Sequence, residues 1–154
     1  MQEEYSAEFF ALQRASARAS AEVVVPLVLE LTRPASIVDV GCGTGTWLAV
    51  FAERGVEDVL GIDGPYVDRA SLEIPQDRFL ARDLASPFGL SRRFDLVVSL
   101  EVGEHLPERS AATFVEGLTA LGPIVLFSAA IPGQGGTQHD VRKRRCRRGQ
   151  GCDA

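Results

Sequence analysis

The sequence predicts an α/β fold in which helices cover both faces of a doubly wound, mostly parallel sheet. Short apolar runs alternate five times with helix-like segments along the chain, a pattern typical of such sheets. The run over residues 94–100 is apolar in four of its last five positions without alternation, as in a central strand buried on both faces. A glycine-rich turn directly follows the first apolar run, where doubly wound sheets bind ligands.

The amino-terminal elements lead into that turn. Residues 6–32 are helix-like, and Pro26 is expected to break or kink this segment because proline cannot donate the helical hydrogen bond. A short buried strand is predicted over Ile37–Val40. A helix over Thr46–Arg54 follows the glycines, and Gly55 is expected to end it as a C-cap.

The remaining elements continue the alternation. Strands are predicted over Asp58–Ile62 and Arg78–Arg82, with a short helix over Tyr66–Ile74 between them. The next helix begins after Pro107, and a fifth strand covers Pro123–Phe127. The apolar stripe of this helix is formed by Ala111, Phe114, Val115, Leu118 and Leu121.

Composition indicates a globular protein and disfavours several partners. The chain has 154 residues, of which 45% are hydrophobic and 24% charged, enough for one domain with a core. Residues 141–154 carry six Lys and Arg against one Asp, which leaves 10 basic and 20 acidic side chains in residues 1–140. The acidic body disfavours nucleic acid as a partner.

Cysteine usage and hydropathy bear on where the protein works. The three cysteines form no disulfide framework, and an odd count fits a reducing compartment. The acidic amino terminus does not resemble a signal peptide, and no apolar run approaches the ~20 residues that span a bilayer. We therefore expect a cytoplasmic protein without membrane contact.

The turn VDVGCGTG, residues 38–45, restricts the ligand. No lysine follows it, which excludes a phosphate-binding P-loop. Asp39 lies two residues before the first glycine, where a carboxylate suits a cationic ligand better than a pyrophosphate. S-adenosylmethionine has an ammonium and a sulfonium, and Asp63 is placed 22 residues beyond Gly41 to accept from a ribose diol. That spacing also fits NAD, which Asp39 and Thr46 disfavour.

Four segments together resemble successive motifs of the class I S-adenosylmethionine-dependent methyltransferases. They are VDVGCGTG, Gly61–Asp63, Arg82–Leu84, and FDLVVSLEVGEHL over residues 94–106. They occur in the family's order and spacing over roughly residues 20–135. The resemblance implies a Rossmann-like fold and S-adenosylmethionine as cofactor.

The resemblance also implies roles for single residues. The glycines of the turn would pass the methionine end of the cofactor, Asp39 would hold its amino group and Asp63 its ribose. Asp83 would accept from the adenine amino group, and Leu84 would back the ring. The implied cofactor-binding set is Asp39, Gly41, Cys42, Gly43, Gly45, Asp63, Asp83, Leu84 and Leu100.

Several of these residues have a purely structural alternative. Asp83 could cap the turn before Ser86, and Asp39 could be a hydrogen-bonded structural carboxylate. Cys42 could be a small filler of the loop. Trp47, outside the set, is expected to pack in the core rather than against adenine.

The segment Glu101–His105 carries the candidate catalytic residues. In a helix, Glu101, Glu104 and His105 would share one face and could hold a divalent metal ion. Metal-dependent O-methyltransferases of ubiquinone biosynthesis and small-RNA methyltransferases have a similar pattern, and the latter add a histidine near the position of His139. Many related enzymes carry such a pair with no metal known. Without a metal, His105 and Glu101 remain candidates for substrate orientation and proton removal.

The end of the chain departs from the family pattern. Class I methyltransferases have seven strands, and this sequence predicts five. We expect a methyltransferase domain over residues 1–140, with its cofactor core over 35–131, and a basic tail over 141–154 that is disordered or translated out of frame. The exposed fifth strand is expected to promote self-association.

The sequence leaves three functional hypotheses from different classes. The first is a methyltransferase acting on a small-molecule acceptor, with activity impaired by truncation. The second is a non-catalytic cofactor-binding remnant or regulatory protein. A third hypothesis, a nucleic-acid module acting through the basic tail, predicts affinity that collapses with added salt. Whether the acceptor atom is oxygen, nitrogen or carbon stays open.

Overall fold

The computed structural model describes the backbone of residues 7–130 and the side chains of residues 14–130. The three helices are α1 (Ala7–Thr32), α2 (Thr46–Glu53) and α3 (Ala111–Leu121). The five strands are β1 (Ser36–Val40), β2 (Asp58–Asp63), β3 (Phe79–Ala81), β4 (Leu96–Leu100) and β5 (Ile124–Ser128). Single 3₁₀ turns cover Arg69–Ser71, Gln76–Arg78, Gly103–His105 and Glu108–Ser110.

The strands form one sheet in the order β3-β2-β1-β4-β5, and every described pair is parallel. Helices α1 and α2 pack in one core cluster, and α3 packs in the other. Within β4, Leu96 and Val98 belong to the first cluster and Val97 to the second, so β4 is covered on both faces. The predicted doubly wound α/β fold, with five strands, is confirmed.

The chain order reverses between β1 and β4. From β1 the sheet grows outward to β2 and β3, and after β3 the chain crosses back to place β4 on the other side of β1. Open α/β sheets bind ligands in a crevice outside the carboxyl ends of their strands, at such a switch in strand order. This crevice positions the site described below.

Helix α1 corrects the prediction at Pro26. The structure shows one helix from Ala7 to Thr32 with Pro26 inside it, rather than two pieces. Val25 and Val28, on either side of the proline, are buried in the core. Burial of such side chains contributes about 1.5–3 kcal/mol each, which offsets the ~3 kcal/mol cost of an internal proline.

The predicted helix over Tyr66–Ile74 is also wrong. Only one 3₁₀ turn forms there, begun by the Asp68 carboxylate accepting from the Ala70 amide. The side chains at both ends of the segment bind the neighbouring loops instead of packing as a helix face: Tyr66 donates to Asp63, and Glu73 accepts from Thr46. These contacts anchor the segment across the glycine turn.

The end of α2 agrees with the prediction, and the apolar stripe of α3 agrees in part. Helix α2 stops at Glu53, and the amides of Gly55 and Val56 bond back to Ala52 and Phe51, as expected for a glycine C-cap. In α3, Phe114, Leu118 and Leu121 are buried, but Ala111 and Val115 are exposed. The stripe of α3 is therefore narrower than predicted.

Strand β5 forms one edge of the sheet over the described residues. It pairs with β4 along its full length, and its side chains Ile124 and Phe127 are 40% and 48% exposed. Among the helices of residues 7–130, none is long and apolar enough to cross a membrane.

Candidate functional site

A cleft of about 620 Å³ opens at the carboxyl ends of the strands. Its walls come from the glycine turn after β1, the loops after β2 and β3, and the loop after β4. The lining residues are Gly41, Asp63, Gly64, Pro65, Tyr66, Arg82, Asp83, Leu84, Glu101, Val102, His105 and Leu106. Six of them were predicted from the sequence: Gly41, Asp63, Asp83, Leu84, Glu101 and His105.

The glycine turn needs glycine for two different reasons. At Gly41, φ is +89°, and a Cβ would lie 2.2 Å from Cγ2 of Val102, so no side chain fits between the loops after β1 and β4. At Gly43, φ is +54°, but a Cβ would meet nothing within 4 Å. The backbone at Gly43 therefore faces open space, where a ligand can approach it closely.

Asp63 ends β2 and links the two loops at the centre of the cleft. Its Oδ2 accepts from the Gly43 amide at 2.7 Å, and its Oδ1 accepts from the Gly64 amide at 2.6 Å. Oδ1 also accepts from the hydroxyl of Tyr66. The residue is 4% exposed, so these bonds offset the cost of burying the carboxylate.

Asp39 is the second buried carboxylate of the site. It lies on β1 opposite Gly61 and is 3% exposed. Burial, and next the negative charge of Asp63, raise the pKa of Asp39 to about 8. The choice between a cofactor ligand and a structural carboxylate stays a prediction for Asp39.

Asp83 follows β3 and has the predicted capping role, whereas its contact with adenine stays a prediction. It lines the cleft, and it also caps the turn before Ser86, accepting from the Ser86 hydroxyl at 2.7 Å and the Ala85 amide at 3.0 Å. The bond from Ser86, and next that from Ala85, lower the pKa of Asp83. Leu84 beside it is buried and presents an apolar wall to the cleft.

Five residues of the implied set lie outside the lining: Asp39, Cys42, Gly43, Gly45 and Leu100. Gly45 begins α2 and contacts Ile74, and Leu100 packs against the core. Burial raises the pKa of the Cys42 thiol, and its sulfur packs 2.6 Å from where a Cβ of Gly61 would stand. Cys42 therefore fills space, as its structural alternative stated, and Trp47 packs against the core as expected.

The segment after β4 does not form the predicted metal site. Glu101 has φ +56° and stands outside the single 3₁₀ turn Gly103–His105, so Glu101, Glu104 and His105 do not share a helical face. Over the described residues, no group of three His, Cys, Asp or Glu side chains could hold a metal ion. His139 lies outside those residues. A shared ligand face required a helix over this segment, and the structure forms only one 3₁₀ turn that begins after Glu101.

Glu101 is nevertheless held in an unusual conformation at the cleft. A left-handed backbone at a residue other than glycine costs about 1–3 kcal/mol and often marks a functional site. Ser128 of β5 fixes it: the Ser128 hydroxyl donates to Oε1 of Glu101 at 2.7 Å, and the Glu101 amide donates to the Ser128 carbonyl at 3.0 Å. His105 lines the cleft four residues later.

Glu104 has a different environment from its two neighbours. Both of its carboxylate oxygens are buried and make no hydrogen bond within the structure described. A carboxylate in that state is costly unless it meets a cation or a proton. Glu104 is not among the residues that line the cleft.

Sequence reasoning missed several residues of the site. Tyr66 and Arg82 line the cleft, and Glu73 accepts from Thr46 at 2.6 Å and from Thr44 at 3.2 Å. Arg82 could have been found, because it stands directly before Asp83 at a strand end. Tyr66 and Glu73 lay in the segment predicted as a helix, which concealed their contacts.

The comparisons with known proteins agree with this geometry. A family model described as a methyltransferase domain matches residues 11–127, 117 of the 154 residues. The chain therefore belongs to this family of methyltransferase domains, and the resemblance to class I S-adenosylmethionine-dependent enzymes is confirmed. Among proteins with curated functions, no match was found.

Solved structures of methyltransferases share the fold. The sugar N-methyltransferase KedS8 from Streptoalloteichus sp ATCC 53650 is 25% identical, with a TM-score of 0.68, covering 87% of this chain and 57% of that protein. CalS10 with bound S-adenosylmethionine, an amino pentose methyltransferase from Micromonospora echinaspora, is 25% identical, with a TM-score of 0.59, covering 79% and 54%. Magnesium protoporphyrin IX methyltransferase (ChlM) from Synechocystis PCC 6803, with bound S-adenosylmethionine, is 25% identical, with a TM-score of 0.54, covering 70% and 55%. This chain spans a little over half the length of each.

The raised pKa of Asp39 predicts a pH-dependent stability. The folded protein keeps the Asp39 proton between its ordinary pKa of 3.8 and about 8, whereas the unfolded chain releases it. The contribution of Asp39 to the free energy of unfolding is therefore most favourable below about pH 4, and it is lost as the pH rises through 8. Asp39→Asn should be more stable than the parent. The difference between their free energies of unfolding should be roughly 2–4 kcal/mol larger at pH 9 than at pH 5.

Urea unfolding at both pH values measures this gap. Asp58→Asn is the control of opposite sign, because the hydrogen bond from Arg92 lowers the pKa of Asp58; it should lose stability by a similar amount at both pH values. A gap for Asp39→Asn that does not change with pH would show that Asp39 is ionised in the folded protein.

Proposed function

We propose that this protein binds S-adenosylmethionine in the cleft and transfers its methyl group to a small-molecule acceptor. The observation that carries the proposal is Asp63, held by the amides of Gly43 and Gly64 at the mouth of a glycine turn open to close approach. A fixed carboxylate at this strand end suits a ribose diol. The bound cofactor of the CalS10 structure and its 25% identity support this assignment.

The charges and shape of the cleft fit a cationic cofactor. Three carboxylates line it, those of Asp63, Asp83 and Glu101, against one guanidinium, that of Arg82, and Asp39 is buried behind the glycine turn. The ammonium and sulfonium would be attracted by this negative potential. In the proposal, Asp39 stabilises the amino group, Asp83 accepts from the adenine amino group, and Leu84 packs on the ring.

The proposed chemistry needs positioning more than acid–base catalysis. The cofactor supplies a methyl group on a sulfonium, which is already an activated leaving group. The protein must hold the acceptor atom in line, at roughly 3 Å, and exclude water. The acceptor's electron pair forms the bond to the methyl carbon as the carbon–sulfur bond breaks, and a base removes the acceptor's proton.

His105 and Glu101 are the proposed catalytic residues. Both line the cleft on the loop after β4, on the side away from Asp83 and the proposed adenine position. An imidazole is suited to take a proton near neutral pH, and the Glu101 carboxylate is fixed by Ser128.

The second candidate is a protein that binds the cofactor without methyl transfer. This candidate requires only the cofactor side of the cleft, which the loops after β1, β2 and β3 form. The cofactor residues all lie within the described part, whereas the acceptor side of the cleft has walls only from the loop after β4. Cofactor binding and turnover must therefore be tested separately.

Self-association through β5 is a further part of the proposal. The edge strand exposes Ile124 and Phe127, and a two-fold pairing would place β5 of one copy beside β5 of the second. The basic segment 141–154 lies outside the described residues, so its separation from the domain over 1–140 stays a prediction. A cytoplasmic location, proposed from the cysteines, would be tested by cell fractionation.

Cofactor binding is predicted to depend on Asp63. Calorimetry with S-adenosylhomocysteine should give micromolar affinity for the parent and about 100-fold weaker binding for Asp63→Asn, because charge-assisted bonds to the ribose are lost. Asp68→Asn is the matched control, since its carboxylate also accepts an amide bond but outside the cleft. Binding by the parent without methyl transfer to any tested acceptor would favour the second candidate, and equal binding by Asp63→Asn would contradict the site.

Self-association is predicted to respond to a charge on β5. Sedimentation velocity should show dimers whose fraction rises with concentration, and Ile124→Lys should shift them to monomers. Val115→Lys places the same charge on an exposed apolar position of α3, 52% exposed, and should leave the dimer intact. A parent chain that stays monomeric at all soluble concentrations would rule out this pairing.

A further inference from the structure

Asp63 already accepts three hydrogen bonds in the protein alone. Two come from the backbone amides of Gly43 and Gly64, and the third comes from the Tyr66 hydroxyl. A carboxylate offers about four lone-pair positions. One position therefore remains, whereas a ribose diol held by both of its hydroxyls requires two.

The three donors differ in how readily they can leave. The Gly43 amide is fixed by the turn after β1, because the neighbouring amides of Gly41 and Cys42 both bond to the Ile62 carbonyl of β2. The Gly64 amide follows β2 directly in the chain. Tyr66 alone among the three donates from a side chain that can rotate, and the residue is 81% exposed.

The tyrosine ring passes close to the backbone of Gly64. A Cβ at Gly64 would stand 2.0 Å from Cε1 of Tyr66, so the absence of a side chain there lets the ring cross to Asp63. The far end of the same segment is fixed separately, since Glu73 accepts from Thr44 and Thr46. A movement of Tyr66 therefore needs no displacement of the anchored part of the segment.

We propose that Tyr66 is a latch on the cofactor site: its hydroxyl occupies the acceptor position on Asp63 that one ribose hydroxyl needs, and it must leave before the diol can bind with both. The inference rests on the proposed function. The Tyr66 hydroxyl then lowers cofactor affinity, because it competes with a ribose hydroxyl for Asp63. Removing only its hydroxyl should then strengthen binding, the opposite of what a ligand-contacting hydroxyl would do.

The test compares the parent with Tyr66→Phe in calorimetric titrations with S-adenosylhomocysteine. A competing hydrogen bond of ordinary net strength predicts about 3- to 10-fold tighter binding by Tyr66→Phe. Ser71→Ala also removes a hydroxyl of the same segment, one that donates to the Asp68 carbonyl outside the cleft lining, and should bind as the parent does. Thermal unfolding of both variants confirms that they are folded.

A second pair of ligands, which differ only in the ribose hydroxyls, tests whether the effect of Tyr66→Phe depends on the diol. Titration with adenosine should reproduce the gain of Tyr66→Phe, and titration with 2′,3′-dideoxyadenosine, which lacks the diol, should show none. This pattern would not follow from a merely structural effect of Tyr66.

The outcomes separate the latch from the proposed function. Tighter binding by Tyr66→Phe that requires the diol supports the latch. Equal or weaker binding by a folded Tyr66→Phe, with the parent binding S-adenosylhomocysteine, overturns the latch and leaves the proposed function standing. Absence of S-adenosylhomocysteine binding by both folded chains overturns the proposed function and the latch with it.

Discussion

The bonds from two backbone amides to the Asp63 carboxylate are the interaction on which the site depends. The Gly43 amide belongs to the turn after β1 and the Gly64 amide to the loop after β2, so one side chain fixes the distance between two neighbouring strand ends. This bond anchors the glycine turn to the end of β2, and a Cβ at Gly43 would meet open space. A carboxylate that builds the loop is then also the group available to a ligand.

Electrostatics restrict what such a site can accept. Asp39 and Asp63 are both almost fully buried, and the charge of Asp63 is one cause of the raised pKa of Asp39. Two carboxylates so placed repel each other, and a positive charge that enters between the loops relieves this repulsion. The same arrangement disfavours a pyrophosphate, which is why the acidic residue before the glycines distinguishes this site from a dinucleotide site. The stability of the free protein is lowered by the feature that prepares it for a cation.

The sequence predicted the elements whose pattern is local and periodic. Apolar runs, glycine spacing and acidic strand ends predicted the five strands, their parallel direction and the glycine turn. The same reasoning located Asp63 and Asp83. Pro26 was misjudged because the burial of Val25 and Val28 is a tertiary effect that no local rule contains. The segment from Tyr66 to Ile74 was misjudged because its polar side chains bind residues 20 to 30 positions away or around the next turn. Glu101 could not be placed on a face, because its left-handed backbone is set by Ser128 and by the close approach of Val102 to Gly41.

Nuclear magnetic resonance of the chain labelled with ¹⁵N-glycine tests the central claim, that the cofactor binds around Asp63 at the glycine turn. The amides of Gly41, Gly43 and Gly64 lie at the site, whereas Gly89 and Gly117 lie away from the cleft lining. On titration with S-adenosylhomocysteine, the account predicts saturable shifts of the first three signals and little change in the other two. Saturable binding that leaves Gly43 and Gly64 unchanged would contradict it.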